Sequence, residues 1–155
     1  IGPSDTPAIG PTVWGSKPED HAVIEVDDWR DVKPGGSGPY IHMAGREVFK
    51  WATTAIVEKA VETLRVSGLT PEELGCFIPH QANNRITDSM LRHLKLPEDV
   101  VVARDIIHMG NSSAASVPLA MEALLESGQA KSGDSALIIG FGAGLVFAGQ
   151  TVILP

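Results

Sequence analysis

The run Leu74-Gly75-Cys76-Phe77-Ile78-Pro79 carries only apolar side chains and ends in proline, so it reads as a strand buried on both faces rather than as a helix. What flanks it sets the fold class. Upstream, Val48, Phe49, Ala52, Ala55, Ile56, Ala60, Val61 and Leu64 recur at helical spacing, which predicts one long helix from Glu47 to about Ser67, followed by Gly68 as the residue after its end. Downstream, Arg85 to Leu94 reads as a helix and Val100 to Ala103 as a second strand. Ala114 to Ser127 reads as a helix closed by Gly128, and Ser135 to Phe141 with Leu145 to Leu154 as two strands around a glycine-rich turn. Helix and strand alternate and two strands finish the chain, so the class is α/β with a mixed β-sheet and packed helices. No internal repeat is visible.

Residues 1–45 are rich in Gly and Pro, with a short strand at Ile9 to Trp14, an acidic stretch around Asp27 and Asp28, and short strands separated by a loop at Pro34 to Gly38. They read as strands and loops leading into a unit at 46–155. A chain of 155 residues, 43% hydrophobic and 20% charged, can bury one sizeable core. Its single cysteine excludes an internal disulfide. No apolar stretch of about 20 residues is free of polar breaks, and the start Ile1-Gly2-Pro3 lacks a signal-peptide pattern, so a cytoplasmic location is expected. The net charge of −7 speaks against nucleic acid as a partner, although a local basic patch could still bind an acidic one. No Cys/His cluster has metal-ligand spacing, and His80 with His108 lacks carboxylate or thiolate company.

The apolar run delivers His80 at its end, and about thirty residues later Gly110-Asn111-Ser112-Ser113-Ala114-Ala115-Ser116 presents one asparagine. Taken singly, a histidine at a strand end is usually structural, and an asparagine before a Ser-rich helix start is usually a turn or cap. Taken together, they can donate two convergent hydrogen bonds to one oxygen, the requirement of a reaction through a thioester enolate. Burial and the positive end of a helix beginning near Asn84 both disfavour an imidazolium at His80. A neutral ring can donate from Nε2 while its other nitrogen takes a proton from the backbone. Nothing here serves as the nucleophile. Cys76, four strand residues before His80, should stand about 13 Å from it, beyond hydrogen-bond reach, and reads as a small buried hydrophobe. Gly140-Phe141-Gly142-Ala143-Gly144 is followed by a strand instead of a helix, so it reads as a tight hairpin and not as a dinucleotide fingerprint. His42 and His108 read as structural.

His80-Gln81-Ala82-Asn83, Gly110 to Ser116 and Phe141-Gly142-Ala143-Gly144-Leu145 come in an order and spacing that resembles the carboxy-terminal half of 3-oxoacyl-(acyl-carrier-protein) synthase III, over nearly the whole chain from about Ile9 to Pro155. The resemblance implies a thiolase-type fold of two similar α/β halves with a catalytic Cys, His and Asn. The Cys belongs to the amino-terminal half, which is not in this sequence. His80 and Asn111 match the catalytic His and Asn. The backbone N–H of Ala143 matches the oxyanion hole, at a position where the family usually has glycine. Gly45, Phe49, Ala82, Asn83 and Gly142 match positions lining the pantetheine and coenzyme A site. Lys50, Arg85 and Arg92 match basic positions that receive the carrier protein.

The implied activity is a decarboxylative Claisen condensation of an acyl-CoA primer with malonyl-(acyl carrier protein), without a resident cofactor, in a homodimer of the complete protein. The alternatives are a synthase III-like acyltransferase that loads starter units in polyketide biosynthesis, and a non-catalytic subunit that docks a carrier. A first residue other than Met and the missing nucleophile suggest a fragment, a processed product or one chain of a split protein.

Overall fold

The computed structural model describes residues 4–155; the start at Ile1, from which the first segment is counted, lies outside them. The chain forms a five-stranded sheet in the order β1 (Ile9–Ser16), β7 (Val146–Ile153), β6 (Ser135–Gly142), β4 (Cys76–Pro79), β5 (Val101–Val102). β4 pairs in parallel with both β5 and β6, whereas β6–β7 and β1–β7 are antiparallel, so the sheet is mixed as expected. β2 (Ile24–Val26) and β3 (Ile41–Met43) make a separate antiparallel pair, with the predicted Pro34 to Gly38 loop between them.

Two layers of side chains pack on the sheet. On one face Phe77, Leu137 and Ile139 meet Ala52 of α1 (Gly45–Thr53), Ile56, Ala60 and Leu64 of α2 (Ala55–Ser67), and Ile86 and Met90 of α3 (Asn84–Leu94). On the other face Cys76, Ile78 and Ala136 meet Ala120 and Leu124 of α5 (Ser116–Glu126). Alternation along β4 sends Phe77 into one layer and Cys76 and Ile78 into the other, which is why the sequence there is unbroken apolar.

The single long helix expected from Glu47 to Ser67 is two helices. Thr54, at φ −122° and ψ −79°, interrupts it. Thr53 Oγ1 donates to Phe49 O and Thr54 Oγ1 to Lys50 O, each at 2.8 Å, while Thr54 N–H turns to Trp51 O. Such back-bonding hydroxyls compete with the helix ladder. Both helices still face the same core, so the apolar periodicity runs across the break and conceals it. Gly68, at φ +70°, ends α2 in the left-handed region that glycine enters without a Cβ clash. A short helix, α4 (Ile106–Met109), and a 3-10 turn over Ser113–Ala115 precede α5, which therefore starts two residues later than expected. No helix among the described residues is long and apolar enough to cross a membrane.

α5 buries Ser116, Ala120 and Leu124 but leaves Val117, Met121 and Leu125 half-buried, and beside it Ile107 and Met109 stand exposed. Apolar side chains left half-buried on a helix, with others exposed beside them, suit contact with a further surface. Expressed by itself, the chain should bind an environment-sensitive hydrophobic dye and self-associate, and Met121→Glu should reduce both. A dye-silent, monodisperse monomer would contradict this reading of the face.

Candidate active site at the carboxyl ends of three parallel strands

β6, β4 and β5 run parallel to one another, so their carboxyl ends open on one edge of the sheet, the place where α/β folds build their sites. His80 follows β4 directly, Gly142 ends β6 with Ala143 next, and the Asn111 loop follows β5 by way of α4. His80 remains bound to the sheet, its N–H donating to Ile139 O at 2.8 Å. Gln81, 2% exposed, ties the loops together: its Nε2 donates to Pro79 O at 2.7 Å and Ala103 O at 3.4 Å, and its Oε1 accepts from Ile106 N–H at 3.2 Å.

The His80 ring is half-buried. Phe141 packs against it edge to face, with centroids 5.3 Å apart at 77°, and Trp51 packs on Phe141 at 6.0 Å and 84°. Burial lowers its pKa below the ordinary 6.5. The sign follows: folding favours the neutral ring, so the stability His80 contributes is present above pH 6.5 and is lost as pH falls through the lowered folded value. Burial is the cause expected for this shift. One expectation needs correction. The second nitrogen, Nδ1, meets a side chain and not the backbone, lying 2.5 Å from Ser116 Oγ. Ser116 is thus a site residue that the pattern of charges and motifs did not single out, although it closes the Gly110 to Ser116 run; Phe141 and Gln81 likewise lay within quoted motifs without a role.

Asn111 is exposed, and its Oδ1 accepts the Ser113 N–H at 2.9 Å. With its oxygen engaged, the carboxamide has its NH2 group available as a donor. Ser116 Oγ joins His80 to the Gln81 backbone, and Asn111 lies five residues before Ser116 on the same segment. Ala143 is exposed at the hairpin tip, where Gly144, at φ +132°, takes a conformation closed to other residues and leaves no room for a Cβ beside Val146.

The other predicted residues fall around this edge. Gly45 is the first residue of α1 and is exposed; Phe49 and Ala82 pack partly against the first core; Gly142 ends β6. A Cβ on Gly45 or Gly142 would meet nothing within 4 Å, so nothing in this chain's packing demands glycine there. Asn83 caps α3, its side chain accepting from Arg85 N–H at 2.8 Å. Lys50, Arg85 and Arg92 are exposed, the last two lying two turns apart on one face of α3, and none is in an ion pair among the described residues. His42 has a structural partner, Asp27, with Nε2 to Oδ1 at 2.6 Å. A concavity of about 360 Å3 lined by Val102, Arg104, His108 and Leu124 includes neither His80 nor Asn111.

Cys76 is fully buried in the α5 layer, and burial first, then the charge of Asp134, pushes its thiol up to about 11. A thiol kept protonated in an apolar layer is inert. Iodoacetamide at pH 8 should leave Cys76 unlabelled in the native protein and label it fully after denaturation. Rapid native labelling would refute its structural assignment.

Residues 64–154 match the family described as 3-oxoacyl-[acyl-carrier-protein (ACP)] synthase III C terminal. The β-ketoacyl-[acyl-carrier-protein] synthase III of Streptomyces glaucescens is 52% identical over 158 residues, covering 100% of this chain and 47% of the relative. The mycobacterial enzyme of that name from Mycobacterium ulcerans is 47% identical with the same coverage, 100% and 47%. Among solved structures, the priming β-ketosynthase of the R1128 polyketide biosynthetic pathway superposes with a TM-score of 0.93 at 45% identity, over 99% of this chain and 47% of that one. The synthase III of Pseudomonas aeruginosa PAO1 gives 0.87 at 29% identity, over 100% and 47%. The fold is therefore that of the thiolase-like condensing enzymes, and the chain spans about half the length of the curated relatives it matches.

Proposed function

We propose, because this chain belongs to the 3-oxoacyl-[acyl-carrier-protein] synthase III family, that it is the enolate-stabilising half of a condensing enzyme that joins an acyl-CoA primer to malonyl-(acyl carrier protein). One observation carries the reading. Two side-chain donors, a ring whose protonation burial disfavours and a carboxamide whose oxygen is already engaged, leave the carboxyl ends of neighbouring parallel strands on one edge of the sheet.

The primer's acyl group would pass to a cysteine thiolate on the other half, with coenzyme A leaving as its thiol. Malonyl thioester then loses carbon dioxide: its Cα–carboxylate bond breaks and the electron pair spreads onto the thioester oxygen, where His80 Nε2–H and the Asn111 NH2 donate. The enolate carbon attacks the acyl-cysteine carbonyl, whose oxyanion the Ala143 N–H would receive, and collapse breaks the C–S bond to return the thiolate. Gly45, Phe49, Ala82, Asn83 and Gly142 would line the approach of the pantetheine arm; the open space over Gly45 and Gly142 supports a close neighbour from outside this chain. No metal or cofactor is required by these steps. We place the complete protein in the cytoplasm as a homodimer on the same reading.

A second reading, loading of starter units in polyketide biosynthesis, is favoured by the likeness to the priming β-ketosynthase. Condensation of malonyl-carrier by the complete protein would argue against it. A chain that only docks a carrier would show no malonyl decarboxylation even with the complementary half present.

In the complete enzyme, His80→Ala and Asn111→Ala should each lower malonyl decarboxylation about 100- to 1000-fold while acylation of the nucleophile stays measurable. Because both serve one oxygen, the double variant should be little worse than either single one. Lost acylation with decarboxylation intact would reverse the assignment.

Lys50, Arg85 and Arg92 would steer an acidic carrier by contacts screened over about 8 Å at physiological salt. Lys50→Glu or Arg85→Glu should raise KM for the malonyl-carrier substrate about 10-fold, leave the acyl-CoA half-reaction nearly unchanged, and converge with wild type as salt rises. Equal damage to primer loading would make these residues ordinary surface charges.

A further inference from the structure

His80 Nδ1 lies 2.5 Å from Ser116 Oγ, and the same oxygen lies 3.2 Å from the Gln81 backbone nitrogen, which donates to it. A hydroxyl has one proton to give and two lone pairs to offer. The Gln81 N–H can only donate, so it occupies a lone pair and leaves the hydroxyl proton in need of an acceptor. Ser116 is 1% exposed, which keeps water from filling that role. Among the described residues, His80 Nδ1 is the acceptor within reach. Were Nδ1 itself protonated, two N–H groups would converge on Oγ and the hydroxyl proton would be buried unpaired, an arrangement folded proteins avoid.

We propose that Ser116 is a positioning residue for His80: its hydroxyl donates to Nδ1 and so keeps the ring proton on Nε2, the nitrogen turned away from Ser116. Phe141, edge to face at 5.3 Å and 77°, holds the plane of the ring while the hydroxyl sets which nitrogen is bare. Ser116 is the first residue of α5 and follows Asn111 by five positions, so one short segment both carries the second donor and orients the first. The value of the Nε2 proton to chemistry rests on the condensing-enzyme reading; the tautomer itself is a property of the fold.

The test is nitrogen NMR of the histidine rings in the complete enzyme at neutral pH, with the His80 signals identified by their loss in His80→Gln. Wild type should show a bare Nδ1 and a protonated Nε2. Ser116→Ala should replace this with mixed tautomers and slow malonyl decarboxylation about 10- to 100-fold, taking as a guide the loss of a group that orients a metal-bound imidazole, with KM little changed. Ser116→Thr, which keeps the hydroxyl, should restore both the single tautomer and the rate. A wild-type proton on Nδ1, or Ser116→Ala with unchanged tautomer and rate, overturns the proposal. If Ser116→Ala fails to fold, the wild-type and Ser116→Thr spectra decide alone: Nε2–H in both supports it and Nδ1–H in either sinks it. A wild type with Nε2–H but no decarboxylation would end the condensing-enzyme reading and leave the Ser116–His80 assignment standing.

Discussion

Double-sided burial of β4 is the constraint on which the rest depends. The strand is only four residues long, yet each is buried and each side is packed, Phe77 against the α1–α2–α3 layer and Cys76 and Ile78 against α5. Losing a buried phenylalanine typically costs about 3–5 kcal/mol, so one fully buried residue on such a strand anchors a large share of a domain's net stability. The same burial leaves the strand one direction in which to deliver a polar group, past its carboxyl end. His80 emerges there with its backbone still bonded to β6. The position of the ring is therefore inherited from hydrophobic packing several residues away, and polar contacts have only to set its orientation.

Polar side chains at this edge share a pattern. Asn111 has its oxygen engaged by Ser113 N–H, Asn83 by Arg85 N–H, and Gln81 by Ile106 N–H. Each carboxamide is thereby oriented from its acceptor side. Donors fixed in this way need little reorganisation when charge develops in front of them, which is the main reason oxyanion-stabilising groups work. Asn111 and Ala143 stand exposed at this edge, and α5 leaves Val117, Met121 and Leu125 half-buried.

Element types were legible because each depends on local pattern. The unbroken apolar run of β4, the helical spacing of Ile56, Ala60 and Leu64, and the glycines after α2 and α5 all leave marks in sequence. The break at Thr54 left none, because threonines are tolerated within helices and the apolar stripe continues past it. α4 is too short to show a period. At the candidate site, His80 and Asn111 were legible through their motifs and the resemblance those motifs carry. Ser116 as the partner of Nδ1 was not, since it comes from a segment 36 residues away whose approach is fixed only when α5 packs on β4. Cys76 was legible as a small buried hydrophobe, and the structure places it in the layer opposite Phe77, as alternation along a strand requires.

The three bonds of the Gln81 side chain have a mechanical meaning beyond holding a loop in place. They clamp the exit of β4, the exit of β5 and the first turn of α4 to one carboxamide, and so reference the two donor-bearing loops to each other. Thermal displacement of either loop is then shared by both. The gap between the donors should fluctuate less than the position of either one, a tolerance set on a relative coordinate, which is the quantity a single oxygen bound between them would sense.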